Sequence, residues 1–164
     1  MSVALVLLLV AVIGVGRMAI GLMQAKETLA PAGIPLAKQT LKSEEDRQTL
    51  IGQLGWQAEP KPVETVEVVI PKEFDEIYQN YNTLQKEQGL NLEKHRGKRC
   101  TRYTYVVLNH PAADGQGVRI NLLVRSNKLI GGDVCSLGLD GFMHTLPFPE
   151  AQGTPYAITG NAKL

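Results

Sequence analysis

The chain has 164 residues, enough for one domain of ordinary size with attachments, and nothing in it repeats at the period of a solenoid or propeller. Its 17 Lys and Arg stand against 16 Asp and Glu, which excludes the strong net field of a nucleic-acid binder. Hydrophobic residues make up 44%, but many of them crowd the N-terminus, so the remainder is more polar than that figure suggests.

Residues 3–16, VALVLLLVAVIGVG, carry no charge; Arg17 interrupts the run and MAIGLM continues it to Met23. As one helix these 21 residues reach roughly 31 Å, about the hydrocarbon thickness of a bilayer. Residues 1–23 are therefore read as an N-terminal transmembrane or signal-anchor helix, with Arg17 snorkelling toward one interface. A cleaved signal peptide competes: small residues near Ala25 suit it, and the missing basic start does not. Arg17, Lys26, Lys38 and Lys42 lie within or after the segment and no base precedes it. Taken literally, the positive-inside rule then places the C-terminal domain in the cytoplasm.

Residues 24–42 contain Pro31, Gly33 and Pro35 and hold no helical or strand period, which reads as a flexible linker. At Ser43 the pattern changes. Ser43 with Asp46 three residues on forms a near capping box, three acids face the positive end of the helix dipole, and Leu50, Ile51 and Leu54 supply an apolar stripe before Gly55. Trp56, the only tryptophan, follows at once and is expected to fold back onto the core. Residues 63–70, VETVEVVI, are β-branched, bounded by prolines and alternate Val66, Val68 and Ile70 onto one face, which predicts a strand. A second helix is predicted from Pro71 to Gly89, its core face drawn by Phe74, Ile77, Tyr78, Tyr81 and Leu84. Three strands follow, at 99–108, 117–125 and 128–136, joined by NHPAADGQG and by a tight turn at Ser126 and Asn127. The order predicts an α+β domain over residues 43–146: a small antiparallel sheet of about four strands with two helices packed on one face. Residues 147–164, rich in Pro, Gly and Ala, read as a flexible tail.

Several stretches, LGWQAEPKPVETVEVVIPKEFDEIYQNYN, LQKEQGLNL, RGKRCTRYTY and LIGGDVCSLGLDGFMH, resemble the small bacterial family called domain of unknown function 4830. That resemblance covers residues 43–146. It implies a membrane-tethered or exported cell-envelope domain of bacteria in the Firmicutes, and it implies no activity, so it carries no catalytic residues over.

The residues that bear chemistry are few. Cys135 with His144 nine residues on is the one arrangement that suggests a thiol-dependent enzyme. Cysteine is among the most often buried residue types, and the simpler reading is a structural thiol. On a regular strand Leu129, Gly131, Asp133 and Cys135 share one face. Cys100 opens the first strand of the meander and Cys135 closes the third, about 25 Å apart at 3.3 Å per residue, so two free thiols are expected rather than a disulfide. Asp133, Cys135, Asp140 and His144 lack metal-ligand spacing, and no metal or cofactor is implied. Gly131 and Gly132 fit a strand that bends or is closely approached, Asp140 with Gly141 a turn, and Phe142, Met143 and Leu146 a flap over the core edge. Finally EKHRGKRCTR sets Lys94, Arg96, Lys98, Arg99 and Arg102 close together beside His95. This is a candidate surface for anionic lipid headgroups or wall polymers, while another envelope protein is a further possible partner. Nucleic acid is not expected, since residues 43–146 alone are slightly acidic. The chain is thus read as a single-pass membrane protein whose domain lies outside the cytoplasm and serves as a binding or interaction module.

Overall fold

The computed structural model describes residues 33–112, 117–138 and 141–149. Two helices and five strands form in this order: α1 (Glu44–Gln53), β1 (Glu64–Val69), α2 (Glu76–Glu87), β2 (Arg99–Val107), β3 (Val118–Arg125), β4 (Lys128–Ser136) and β5 (Met143–His144). The strands make one antiparallel sheet in sequential order, an up-and-down meander. It exceeds the expected count of about four by the two-residue β5, too short for periodicity to reveal. Among the described residues no helix is long and apolar enough to cross a membrane; the segment 1–23 read as a transmembrane helix lies outside them.

Local signals set the element boundaries. Ser43 caps α1 through a complete capping box: its hydroxyl accepts from Asp46 N at 3.1 Å, and the Asp46 carboxylate accepts from Ser43 N at 3.0 Å. Gly55, at φ 93°, ends the turn after α1 in a conformation that costs a side-chain-bearing residue energy. Helix α2 starts later than Pro71 suggested. Its cap is Asp75, whose carboxylate accepts from Tyr78 N at 2.8 Å, because a carboxylate satisfies an orphan amide that proline's ring cannot. The β3–β4 turn carries φ of 49° at Ser126 and 61° at Asn127, the paired positive values of a two-residue hairpin.

The helices do not share a face, contrary to expectation. Leu50, Ile51 and Leu54 pack with Tyr105, Val107, Val118, Ile120, Leu122, Val124 and Val134 on one face of the sheet. On the other, Tyr78 and Tyr81 of α2 pack with Ile70, Leu92, Cys100, Leu123 and Ile130. The physical reason is written in β3: Leu122, Leu123 and Val124 run consecutively apolar, so both faces of that strand need cover. A register shift between Leu123 and Val124 then puts Leu129 on the α1 face while Gly131, Asp133 and Cys135 line the α2 face. In α2, Ile77 stays 53% exposed and Asn82 and Gln85 are buried instead, so the helix turns a partly polar side inward.

What that polar side does is close the sheet. The free edge of β4 is covered in three stages. At its start Leu129 N donates to Gln39 O at 3.3 Å, Thr40 bridges Lys128, and Leu41 N donates to Asn127 O at 2.8 Å. At its end β5 pairs with Val134 and Cys135. Between them α2 substitutes for a strand: Gln85 Oε1 accepts from Gly132 N at 2.8 Å and Gln88 Nε2 donates to Gly132 O at 2.7 Å. The unpaired strand groups that invite aggregation are thereby satisfied by side chains. Gly132 has to be glycine, since a Cβ there would stand 2.5 Å from Asn121 O and 2.9 Å from Leu146.

Residues 33–42, read as linker, therefore belong to the fold: Leu36 and Leu41 are 3% and 2% exposed. At the other end residues 142–149 form a strap across the α1 face. Trp56 Nε1 donates to Leu146 O at 2.6 Å, Leu146 N donates to Gln88 Oε1 at 2.8 Å, and Phe148 N donates to Leu54 O at 3.0 Å.

Candidate functional site

The basic stretch lies at one end of the sheet, where β2 begins. Three of its five expected anion-binding cations are already engaged. Arg99 Nη1 meets Glu67 Oε1 at 2.6 Å, Arg102 Nη2 meets Glu64 Oε2 at 2.6 Å, and Arg96 lies 3.6 Å from Glu93 with its guanidinium over the Phe74 ring. These are cross-strand and local pairs, the former supplied by strand β1, and they reduce what the arginines can offer a ligand. Lys94 and Lys98 are exposed, and among the described residues no carboxylate comes within ion-pair distance of either.

The meander adds two cations that linear spacing could not. Arg125 closes β3 and Lys128 opens β4 at the same end of the sheet, next to the Ser126–Asn127 turn. Among the described residues neither has an acidic partner; the Lys128 ammonium donates to the Thr40 hydroxyl. His95 senses this field: burial first, then Arg125 and Lys94, push its imidazole below the usual range. The signal in the sequence was the hairpin itself, which folds residue 125 back toward residue 98. Residues 39–41, the first among the described residues to join the sheet, join it at this same end.

Cys135 and His144 do not form a pair. Cys135 is level with Met143 on the α2 face, whereas His144 is level with Val134 and turns to the α1 face. Burial, followed by the neighbouring Asp133, pushes the Cys135 thiol up to about 12, the reverse of what a nucleophile needs. Cys100 and Cys135 are both free, and the register sets them at opposite ends of the sheet.

Around Cys135 the α2 face carries a polar rung across four strands: Glu64, Thr104, Asn121 and Asp133 sit side by side. Thr104 Oγ1 donates to Asn121 Oδ1 at 2.7 Å, Asn121 Nδ2 donates to Asp133 Oδ1 at 2.9 Å, and Tyr81 OH donates to Asp133 Oδ2 at 2.7 Å. Burial raises the Asp133 carboxyl and holds the Tyr81 phenol well above its ordinary value. Each carboxylate oxygen has a donor, so the rung ties α2 to the sheet and leaves no reactive group poised. Asn121 and Asp133 alternate with apolar neighbours in the sequence, and that polar interruption was the available signal.

A second cluster gathers at the opposite end, on the α1 face. Trp56, His110, Phe142, His144 and Phe148 stack together, with His110 nearly parallel to Trp56 at 5.4 Å and Phe142 at 4.4 Å from His110. His110 Nε2 and His144 Nε2 are 3.0 Å apart. Ala112 N donates to His110 Nδ1 at 3.1 Å, so that ring carries its proton on Nε2 and hands it toward His144 Nε2. His144 then carries its own proton on Nδ1, which donates to Thr145 O at 2.7 Å. A metal at His110 Nε2 would need the proton on Nδ1, where the Ala112 amide already points. Among the described residues no group of three or more His, Cys, Asp or Glu side chains is placed to hold a metal ion.

The family described as Domain of unknown function (DUF4830) matches residues 50–134, from within α1 to β4. The chain belongs to that family. The matched span holds Trp56, the polar rung and the basic end of the sheet, and it stops before the strap. No curated protein and no solved structure matches the chain. Membership in DUF4830 assigns no reaction, so the residues themselves carry the functional argument.

Proposed function

We propose that this DUF4830 protein is a membrane-anchored cell-envelope domain outside the cytoplasm that works as a binding or interaction module. Its basic sheet end is turned toward anionic lipid. One observation carries the reading: the chain coming from the apolar segment 3–23 joins the sheet at the end where Lys94, Lys98, Arg125 and Lys128 gather without acidic partners among the described residues. A tether attached there holds those cations near the headgroups. Each cation close to an anionic surface contributes about 1 kcal/mol at physiological salt. The Cys135 and His144 enzyme has no such support, because the two side chains occupy opposite faces of the sheet.

The test is amide hydrogen exchange on the full chain in nanodiscs of phosphatidylcholine alone and with phosphatidylglycerol. The expected result is slower exchange at residues 92–99 and 125–129 only with phosphatidylglycerol, reversed by a Lys94→Glu, Lys98→Glu, Arg125→Glu, Lys128→Glu variant. Identical exchange in both lipids refutes the lipid-facing end. Protection appearing instead on addition of purified wall polymer, or with a co-purified envelope protein, replaces the partner with that one.

A further inference from the structure

The two edges of the sheet differ. Residues 39–41, the glutamines of α2 and strand β5 cover the edge at β4, whereas among the described residues nothing pairs with the outer edge of β1. Ile70 exchanges hydrogen bonds with the β2 side, donating to Lys98 O at 2.9 Å and accepting from Gly97 N at 2.8 Å. Bonding direction alternates along an antiparallel strand, so Thr65, Glu67 and Val69 turn their amides and carbonyls to the free edge. The usual protections of such an edge are missing. Neither lysine nor proline occurs within Glu64–Val69, and the strand runs in unbroken register with β2. Its two acids are paired back to Arg102 and Arg99 instead of being left to repel a neighbour. Val63, Val66 and Val69 stand exposed along it.

We propose that a second copy of the chain docks at this edge, β1 pairing antiparallel with β1 of the second copy about a two-fold axis, which joins the two five-stranded sheets into one. The strand itself selects the register. Hydrogen bonds are completed only where outward-bonding residues stand opposite one another, and the registers of this kind that overlap most of β1 are centred on Glu67 or on Val66. Centring on Glu67 sets two carboxylates face to face, which is repulsive. Centring on Val66 sets each Glu67 opposite Thr65 of the second copy, completing a hydrogen-bonded pair on either side of the axis. Each Glu64 then lies opposite Val68. Val66 meets its own counterpart on the axis as a non-hydrogen-bonded pair, the closer kind, with Cα atoms about 4.5 Å apart. Val63 of each copy comes level with Val69 of the other, so every exposed valine of the edge gains an apolar neighbour and no like charges are opposed. Because one stretch of six residues satisfies both sides of the contact, a second copy fits it without any further sequence being specified. The pairing does not depend on lipid binding and is tested without lipid.

The experiment is analytical ultracentrifugation of the full chain in detergent over a series of protein concentrations, with far-UV circular dichroism recorded alongside. The expected result is two copies per particle, dissociating on dilution. Val66→Lys should weaken the dimer more than about tenfold, since like charges then meet on the axis, while the dichroism stays unchanged. Register is read by oxidation with copper phenanthroline in a Cys100→Ala, Cys135→Ala background. Val66→Cys should give a disulfide-linked dimer. Glu67→Cys should not, because on this register the two Cα atoms lie about 8 Å apart, outside bridging range. If Val66→Lys loses its dichroism, the cysteine pair decides alone. One copy per particle at every concentration overturns the proposal. So does a dimer that persists in folded Val66→Lys, which would be held by the apolar segment 3–23, or cross-linking through Glu67→Cys in place of Val66→Cys. Slow amide exchange at Thr65 and Glu67 in a monomeric particle also overturns it, because another segment of the same chain then covers the edge.

Discussion

Replacing Gln88 by Met tests the substitution of α2 for a strand at the β4 edge. Gln88 Nε2 donates to Gly132 O at 2.7 Å and Gln88 Oε1 accepts from Leu146 N at 2.8 Å, and both Gly132 and Leu146 are buried. Methionine keeps the length and much of the volume of glutamine but none of its hydrogen-bonding groups. The variant therefore orphans a buried carbonyl and a buried amide, each costing about 1–3 kcal/mol, for a total of about 2–6 kcal/mol. For a domain of this size that lowers the melting temperature by roughly 10–20 °C. Urea unfolding of the full chain in detergent, followed by Trp56 emission, measures the loss. Gln85 shares the network, since its Oε1 accepts from both Gly132 N and Gln88 Nε2 at 2.8 Å. The Gln85→Met, Gln88→Met double variant should consequently lose less than the sum of the singles. A Gln88→Met loss below about 0.5 kcal/mol would refute the reasoning, because it would mean that water or a shifted backbone satisfies Gly132 and Leu146 as well as the glutamine does.

Other expectations concern single positions. Gly132→Ala drives a methyl group against Asn121 O and Leu146, and should destabilise by about 1–3 kcal/mol or more in the same urea assay; an unchanged midpoint contradicts the close approach. Ser43→Ala removes the hydroxyl that accepts from Asp46 N and should cost about 1 kcal/mol, with Ser43→Asp restoring most of it. In a Cys100→Ala background, Cys135 should react with iodoacetamide at pH 8 more than about a hundredfold slower than free cysteine, because its thiol is held up near 12. Alkylation at the rate of a free thiol would reopen the case for an activated cysteine.

The elements were legible in the sequence where one local interaction decides them. Ser43 with Asp46, Gly55, and the Ser126–Asn127 turn each announce a backbone geometry that neighbours alone enforce, and the structure has all of them. The face each element covers was less legible, because periodicity gives a stripe and not its partner. The run Leu122, Leu123 and Val124 did hold the information that both faces of β3 are buried. Helix α2 misled for a physical reason: its inward side includes Asn82 and Gln85, which serve backbone groups of other segments that no local pattern identifies. The same limit applies to the sites. Lys94 and Lys98 could be read from spacing, but Arg125 and Lys128 join them only through the hairpin, and the acids Glu64 and Glu67 that neutralise Arg102 and Arg99 come from a strand more than thirty residues earlier. The histidine pair links residues 110 and 144 from two separate stretches, a proximity set by where β2 ends and where β5 pairs.

The central claim is that the domain is held outside the cytoplasm by the apolar segment at residues 3–23. Protease accessibility of an epitope tag fused after Leu164, compared in intact cells and after lysis, tests it most directly. Digestion of the tag in intact cells, with the protein sedimenting with membranes, is the expected result. Protection until lysis would contradict the account, placing the domain in the cytoplasm as the distribution of Arg17, Lys26, Lys38 and Lys42 read literally requires.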